Sequence, residues 1–478
     1  MRLNETLYSN LDMKITKDKI LYSPTDLNHF VACKYHIKND LLADEKKLKK
    51  KKISSNLQLR IKYGHEHEAK HFELFKKKYN QNITINRKLT DEQRFEATKQ
   101  ALIKGYEFIY NAFFIEKDFR GEFDFLIKTD TKSDLGDYSY EVYDTKISKN
   151  LKSKDVLQIT GYSYLLSKVQ GLLPKHMYLI NGNSKFKKYK VNEFINYFTY
   201  TKNRFEKLLP ELKKSDIYPE KCSYCQFCPW LDNCEKTWED DNYINQVARI
   251  NRSQVIKLKK ENIGTVEALA KISALKIKSK INQASKIRLV QQAKLQEEKR
   301  LTGKSRYIFN DTEEGKGFYK MPKENEGDLF YDIEGFPQSE KRNYEYLHGI
   351  YYLNSKNNEY KSFVVKEYTE NEEERIFIDL VNFLKKHFDK YPEAFIYHYN
   401  DYEKRALKDL SNEYSSFFPE GANLVDKLLR QKKFIDLYRV VEQCMQTTEK
   451  DISLKTIEKF YPAERNADVK TADDSIRL

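Results

Sequence analysis

An alternation of polar and apolar residues marks short strands in the first third of the chain. The segment YEVYDTKIS follows this pattern, so Asp144 and Lys146, two residues apart, are predicted to point to one face of a strand. Another strand-like run, FRGEFDFLIK, contains Gly121 and, three residues later, Asp124. The first of these strands therefore places a carboxylate and an ammonium group side by side, and the second adds another carboxylate.

Helical spacing of apolar residues marks the segments on either side of these strands. The segment YGHEHEAKHF is strongly helical and has Gly64 three residues before His67. The segment LQITGYSYLL predicts a helix in which Gln158 and Tyr162, four residues apart, lie on the same side. Along the chain the order is therefore Gly-x-x-His, Gly-x-x-Asp, Asp-x-Lys and Gln-x-x-x-Tyr.

The Asp-x-Lys pair favours a site for a metal ion and a water molecule. A carboxylate can hold a divalent cation, and a neighbouring lysine can position a water molecule and stabilise its hydroxide form. In a chain that is 33% charged, Asp144 and Lys146 alone would more simply be a surface ion pair. Four motifs in this order, on the expected elements, are much harder to obtain by chance, which favours the functional interpretation.

The four motifs resemble those of the RecB-like branch of the PD-(D/E)XK nucleases, over residues 20–240. The resemblance implies a restriction-endonuclease-like domain with a Mg²⁺- or Mn²⁺-dependent centre. The residues to which it assigns roles are the metal ligands His67, Asp124 and Asp144, the water-activating Lys146, and Gln158 and Tyr162, which support the site and the DNA strand.

Four of the six cysteines cluster in the segment KCSYCQFCPWLDNC. The N-terminal segment is polar and charged, with no visible secretory signal, and no apolar run is long enough to cross a bilayer. We therefore expect a soluble cytoplasmic protein with no membrane partner. Cysteines clustered in a reducing compartment indicate a metal centre rather than disulfides, and both zinc and iron–sulfur clusters take four thiolates.

The resemblance extends to the cysteines. Several RecB-like nucleases, including AddB-type subunits, have one cysteine before the nuclease motifs and a C-x2-C-x5-C motif after them, which implies a [4Fe–4S] cluster. Cys33, Cys225, Cys228 and Cys234 match that pattern. Cys222 is one cysteine too many, so a local set of Cys222, Cys225, Cys228 and Cys234 is the alternative, with Cys33 as a buried apolar residue.

Length and charge narrow the remaining possibilities. A chain of 478 residues should form two or three domains, each large enough for its own core. The net charge of +14 and the isoelectric point of about 9.0 favour a polyanionic partner, here DNA. The sequence contains no G-x-x-x-x-G-K-[ST] phosphate loop, so a helicase would be a separate partner.

Helical patterns follow the cysteines. In QVARINRSQVIKLKKENIGTVEALAKI the helical spacing breaks at Ile263-Gly264-Thr265, which is typical of a helix–hairpin–helix that binds a DNA phosphate. A plain helical connector explains the pattern equally well. The segment SKINQASKIRLVQQAKLQEEKRLTG then predicts one long polar helix that spans between domains, and a linker with glycines follows it.

A second module begins at DLFYDIEGF, an apolar strand on which Asp332 and Glu334 share a face. Glu403 follows in AFIYHYNDYEKRALKDL, and Asp436 follows in KKFIDLYRVV. This order resembles the DnaQ-type 3′–5′ exonucleases of the RNase H-like fold, and most closely their YprB-like branch. The resemblance implies that acidic residues hold two Mg²⁺ ions, with Asp332 and Glu334 in the first motif and Glu403 where an aspartate is usual.

The fourth acidic residue of that family should lie on a helix after SLKTIEKFY. The remaining sequence, PAERNADVKTADDSIRL, has no matching motif, and only Asp473 and Asp474 are candidates. We therefore expect this module to be incomplete and inactive by itself, and to dock DNA or a partner. The sixth cysteine, Cys444, is expected to be a core residue.

Together these patterns predict an α/β (α+β) protein with a nuclease domain at 1–240, a helical region at 241–322 and an RNase H-like domain at 323–478. The whole order resembles a RecB-like nuclease family that joins these modules. The resemblance implies a Mg²⁺/Mn²⁺-dependent deoxyribonuclease, a RecB-like exonuclease that acts on single-stranded DNA or DNA ends. The alternative is a non-catalytic DNA-binding scaffold that serves a partner helicase.

Overall fold

The described chain divides into two compact units, the first ending at Glu235 and the second beginning at Lys236. Both units combine helices with sheets, which confirms the α/β class predicted from the sequence. None of the described helices is long and apolar enough to cross a membrane. The segment that holds Asp473 and Asp474 lies outside the described residues. The computed structural model describes residues 13–15, 19–43, 45–336, 343–354 and 357–461.

The first unit consists of a mixed sheet flanked by helices. Its helices are α1 (Pro24–Ala32), α2 (Lys34–Leu42), α3 (Ser55–Lys78), α4 (Asp91–Ile103), α5 (Ser153–Gln170) and α6 (Ile195–Leu212), and α7 (Leu231–Asp240) begins at its C-terminal end. Its strands are β1 (Lys14–Ile15), β2 (Ile20–Leu21), β3 (Asn82–Thr84), β4 (Phe108–Tyr110), β5 (Phe113–Glu116), β6 (Phe119–Glu122), β7 (Phe125–Thr129), β8 (Ser139–Thr145), β9 (His176–Ile180) and β10 (Phe186–Lys190).

The main sheet of the first unit has the strand order β10-β9-β8-β7-β4-β3. Leu126 of β7 pairs with Val142 of the antiparallel β8, and both belong to the core beneath α5. Phe125 points to the other face and packs with Phe75 of α3. Because side chains alternate along a strand, Asp124, two residues before Leu126, and Asp144, two residues after Val142, are both directed to the α5 face.

The second unit contains a second mixed sheet and most of the remaining helices. Its helices are α8 (Arg252–Lys259), α9 (Val266–Lys271), α10 (Gln283–Thr302), α11 (Glu370–Lys390), α12 (Tyr402–Glu413), α13 (Pro419–Arg430), α14 (Leu437–Cys444) and α15 (Leu454–Ile457). Its strands are β11 (Tyr307–Phe309), β12 (Leu329–Phe336), β13 (Tyr344–Asn354), β14 (Asn357–Val364), β15 (Ile396–His398), β16 (Phe434–Asp436) and β17 (Met445–Thr447).

The main sheet of the second unit has the strand order β14-β13-β12-β15-β16. Strands β12, β13 and β14 are antiparallel neighbours, whereas β15 and β16 run parallel to β12. Leu329, Tyr331 and Ile350 point to one face, where they form a core with α11, α12 and α13. Cys444 is buried, which confirms its expected place in a core.

The long helix α10 packs inside the second unit. Leu289 and Ala293 are buried, and Gln292 Nε2 donates a hydrogen bond of 2.8 Å to the carbonyl of Thr447 on β17. The helix predicted from the sequence is therefore present, but the prediction that it spans between domains is wrong, because one of its faces is buried against β17 and α9. The break before it is also present, and Thr265 caps α9.

Candidate active site

Asp144 and Lys146 lie at the end of β8, in the centre of the first unit's sheet. Asp144 is buried, and its Oδ2 lies 2.5 Å from the Lys146 ammonium nitrogen. The two-residue spacing on a strand thus brings the charges into direct contact, as the alternation predicts. This pair is not a surface ion pair, because the Asp144 side chain is 4% exposed and the Lys146 side chain 20%.

Asp124 lies just before β7, beside the end of β8. The backbone N–H and the hydroxyl of Thr145 both donate hydrogen bonds to Asp124 Oδ2, each at 2.7 Å. Thr145, the last residue of β8, lies between Asp144 and Lys146 in sequence. The end of this strand therefore positions the side chains of Asp124, Asp144 and Lys146. The register of β7 and β8 therefore holds two aspartates and a lysine where these two central strands end side by side.

Burial, with electrostatic repulsion second to it, sets the charge state of this group of carboxylates. Burial, followed by the negative charges of Asp144 and Glu68, holds the pKa of Asp124 well above its usual range. The pKa of Asp144 is raised mainly by burial, which the nearby Lys146 offsets only in part. Burial opposes the charge of Lys146, but its carboxylate neighbours outweigh burial and raise its pKa. The cluster thus contains more negative charge than one lysine neutralises.

Glu68 of α3 is the member of this cluster that sequence reasoning missed. Its carboxylate accepts a hydrogen bond of 2.8 Å from the Tyr110 hydroxyl and lies 3.4 Å from Arg87 Nη2. Its charge acts on both aspartates. The only sequence signal for Glu68 is that it follows His67 on a predicted helix. Which of the two residues faces the site depends on how the helix is rotated against the sheet.

His67, the predicted ligand on α3, is also buried. It is 2% exposed, and its ring packs edge-on against His71 with 4.8 Å between ring centroids. His71 in turn has its Nε2 3.2 Å from the hydroxyl of Ser184. His67 is thus the buried neighbour of Glu68 on α3. Its role as a metal ligand stays a prediction.

Gln158 and Tyr162 meet on one side of α5, as their spacing predicts. Gln158 Nε2 donates a hydrogen bond of 2.8 Å to the Tyr162 hydroxyl. Tyr162 is buried, and burial followed by the charge of Asp144 raises its pKa well above the usual range. Gly121 allows α5 to pack closely against β6, because a Cβ at this position would lie 2.9 Å from Leu165 Cδ1 and 3.0 Å from Tyr162 Cδ1.

The clustered cysteines form a second group of functional side chains in the first unit. Cys33 follows α1 directly, and its thiol is close enough to that of Cys222 for the two to interact electrostatically. Cys222 Sγ lies 3.8 Å from Cys225 Sγ. The thiols of Cys228 and Cys234 are close enough to Cys33 and Cys225 to interact with them electrostatically. All five cysteines therefore converge, including both Cys33 and the extra Cys222.

A chain of polar contacts supports one of these thiols. His36 Nδ1 lies 3.3 Å from Cys228 Sγ, and its Nε2 lies 3.2 Å from Asp40 Oδ2. The indole N–H of Trp230 donates a hydrogen bond of 2.9 Å to Asp40 Oδ1. A carboxylate that orients a histidine is a common support around metal ligands. Neither the predicted cluster ligands nor the motif spacing pointed to His36 or Asp40.

Burial holds the thiols of Cys225, Cys228 and Cys234 in their neutral form. Burial raises the pKa of Cys225 to about 11 and that of Cys228 and Cys234 to about 12. Within the described ranges, no group of three or more His, Cys, Asp or Glu side chains is already arranged as a metal site. Thiols that bind a metal lose their protons to it, so neutral, adjacent thiols are compatible with a metal centre that forms on binding.

The acidic residues predicted for the second module also come together. Asp332 and Glu334 lie on β12, and burial, followed by the charge of Asp332, raises the pKa of Glu334. Glu403 contributes to the same effect from the first turn of α12, where it is buried with its Oε2 3.5 Å from His398 Nδ1. Asp436 instead caps α14 by accepting a hydrogen bond from the N–H of Arg439. Its Oδ1 also accepts a hydrogen bond of 3.0 Å from the N–H of Asn400.

Comparison with known protein families identifies the second sheet. A family model described as the RNase H superfamily matches residues 329–478, which begin at the first residue of β12. The match supports the RNase H-like domain predicted from the sequence, and a domain of this superfamily indicates a protein that processes nucleic acid. A search of curated proteins finds no match to the chain.

Proposed function

We propose that this protein is a metal-dependent deoxyribonuclease whose cleavage centre is the acidic cluster of the first unit. The buried Asp124–Asp144 pair beside Lys146 carries this proposal. Carboxylates that repel one another in a buried site need positive charge, and one ammonium group is not enough. A divalent cation, Mg²⁺ or Mn²⁺, would supply that charge through oxygen ligands. Asp124 and Asp144 would hold it, with Glu68 and the predicted ligand His67 beside them on α3.

Each residue of the cluster has a role that follows from its contacts. A bound divalent cation stabilises charge on a phosphodiester and lowers the pKa of water. Lys146 stays protonated near neutral pH because its pKa is raised, so it acts as a fixed positive charge rather than as a base. It can therefore orient a water molecule and stabilise its hydroxide form. The hydrogen bonds from Thr145 favour the carboxylate form of Asp124, and Gln158 orients the Tyr162 hydroxyl.

The proposal is tested by cleavage of end-labelled single-stranded DNA. Wild-type protein should degrade the strand with Mg²⁺ or Mn²⁺ and should be inactive in EDTA. Asp144→Asn should reduce the rate by a factor of about 100 or more, because metal sites contribute several kcal/mol to such reactions. The control is Asp137→Asn, the same substitution at a side chain that is 95% exposed in the same unit. Equal rates in both variants would refute the assignment.

Binding without cleavage is the other informative outcome. If wild-type protein binds single-stranded DNA but never cuts it with any divalent cation, the protein is a non-catalytic scaffold of the kind that would serve a helicase. The 2.5 Å contact between Lys146 and the buried Asp144 argues against this interpretation, because burying such charges is costly and adds little to stability by itself.

We further propose that the cysteines of the first unit hold a [4Fe–4S] cluster. The support is the convergence of Cys33 with the four later cysteines, since such clusters take four thiolates. Such a cluster would tie the end of α1 to the C-terminal end of the unit. Cys222 Sγ lies 3.8 Å from Cys225 Sγ and interacts electrostatically with Cys33, so either predicted ligand set can be drawn from the five.

Single substitutions distinguish the ligand sets. Anaerobically purified protein should be brown and contain iron and acid-labile sulfide. Cys33→Ser should lose both if the cluster uses Cys33, whereas Cys222→Ser should lose both if the local set is used. Cys444→Ser is the matched control, because Cys444 is a buried cysteine in the second unit, remote in sequence from the five that converge. A colourless protein with stoichiometric zinc would contradict the iron–sulfur proposal.

A further inference from the structure

Four aromatic residues form one row across the sheet of the second unit. Phe330 of β12 pairs directly with Tyr351 of β13, and Tyr351 pairs with Tyr360 of β14. On its other side, Phe330 pairs with Tyr397 of β15. Directly paired residues point to the same face of a sheet, so the four aromatic side chains share one face of four neighbouring strands.

The row lies on the face of the sheet that is opposite α11, α12 and α13. Phe330 is 47% exposed, Tyr351 41% and Tyr360 63%. The ring of Phe330 stacks on that of Tyr397, with centroids 5.3 Å apart and planes 22° from parallel. Exposed rings of this size are costly in water unless something covers them, and three in one row form a continuous aromatic strip.

The next row on the same face carries the acidic residue Asp332. The residues level with it are Gly349 of β13 and Ser362 of β14, both of which are small. A Cβ on Gly349 would lie 2.5 Å from the Tyr360 hydroxyl, so the Tyr360 ring leans across the glycine towards Asp332. The charge of Asp332 accordingly adds to burial in raising the pKa of Tyr360. The aromatic strip is thus continuous with the acidic residues of the RNase H-like domain.

We propose that this aromatic row binds the bases of single-stranded DNA. Flat, exposed rings suit the faces of unpaired bases, and stacking of this kind accepts any base sequence. A duplex keeps its base faces covered, so it cannot use the row. A strand with its bases on Phe330, Tyr351 and Tyr360 would have its backbone near Asp332. The choice of DNA over RNA rests on the proposed function.

The test measures binding without cleavage. Fluorescence anisotropy with a labelled oligothymidylate is carried out in EDTA, in an Asp144→Asn background. Tyr351→Leu combined with Tyr360→Leu keeps apolar bulk but removes the rings, and it should weaken binding by about tenfold or more, since one stacked base contributes roughly five- to hundredfold. The matched control is Tyr319→Leu, because Tyr319 is 66% exposed in the same unit but outside the row.

An abasic strand of the same length separates stacking from phosphate contacts. The protein with an intact row should bind the abasic strand about tenfold more weakly than oligothymidylate, and the double variant should no longer distinguish the two. Gly349→Ala offers a second route, because it displaces the Tyr360 ring without removing it. It should weaken oligothymidylate binding severalfold. If the double variant fails to fold, Tyr360→Leu alone should still cost about threefold or more.

Three results would overturn the inference. One is unchanged affinity in the row variants, and another is equal loss in the Tyr319→Leu control. The third is an RNA strand that binds more tightly than DNA and loses that advantage in the row variants, which would make RNA the occupant. None of these outcomes depends on cleavage, so a failure of the proposed nuclease activity would be recognised separately, in the Asp144→Asn and Asp137→Asn comparison.

Discussion

Replacing Thr145 by valine tests how the fold controls the charge of Asp124. The substitution keeps the shape of the side chain and the backbone hydrogen bond, but it removes the hydroxyl that donates to Asp124 Oδ2 at 2.7 Å. A hydrogen bond to a charged group contributes about 1.5–3 kcal/mol. This bond favours the carboxylate over the protonated acid, so its loss raises the pKa of Asp124, which burial and Asp144 already raise.

The direction of the pH effect follows from that shift. A cation requires the ionised form of Asp124, so activity is lost as the pH falls through the pKa of that residue. Raising this pKa moves the acidic limb of kcat/KM to higher pH. Below the limb, Thr145→Val should be about ten- to hundredfold slower than wild type, which is the factor that corresponds to about 1.5–3 kcal/mol. Above the limb, the two proteins should converge.

The assay is the pH profile of Mg²⁺-dependent cleavage of labelled single-stranded DNA, repeated at a higher Mg²⁺ concentration. More Mg²⁺ should restore part of the lost rate at low pH, because the cation competes with the proton for Asp124. Thr129→Val is the control, since Thr129 bonds Ser139 at 2.9 Å at the far end of the same strand pair. A Thr145→Val profile identical to that of wild type would refute the reasoning.

Three further predictions concern packing, the cysteines and binding. Gly121→Ala should destabilise the protein by about 1–3 kcal/mol in thermal or chemical unfolding, because its Cβ would overlap the side chain of Tyr162. Gly64→Ala is its control and should stabilise the protein by up to about 1 kcal/mol, since Gly64 lies inside α3 and the nearest atom would lie at an ordinary 3.4 Å. His36→Ala should lower the iron content or cluster lifetime by removing the contact to Cys228, whereas unchanged cluster stability would assign His36 a packing role only. DNA affinity should fall with salt, with a log–log slope of about −0.7 for each single-strand phosphate that is neutralised, and a flat dependence would argue against a nucleic-acid substrate.

Local spacing made part of the site predictable. The contact between Asp144 and Lys146 depends only on the two-residue period of a strand, and that between Gln158 and Tyr162 only on the four-residue spacing of a helix. The mixed α/β class followed in the same way, because strand and helix periods are distinct over most segments. These features are set within a few residues of chain, so one sequence is enough to expose them.

Features that depend on tertiary packing were not predictable in the same way. Glu68 belongs to the acidic cluster because of the rotation in which α3 packs against the sheet. The sequence of α3 alone does not determine that rotation. The aromatic row containing Phe330 and Tyr360 exists only through the registers of three strand pairs. The packed position of α10 was also not predicted, because polar residues interrupt its buried face, among them Gln292, which bonds the carbonyl of Thr447.

The location of the cleavage centre is tested most directly by a pair of matched substitutions, one in each unit. Asp144→Asn and Asp332→Asn each remove one charge from an acidic cluster, and cleavage of labelled single-stranded DNA in Mg²⁺ is compared with wild type. Asp144→Asn should abolish cleavage while DNA binding stays nearly intact, because phosphate contacts elsewhere provide affinity. Asp332→Asn should retain most of the activity. Loss of cleavage in Asp332→Asn with a normal rate in Asp144→Asn would contradict the account and place the chemistry in the RNase H-like domain.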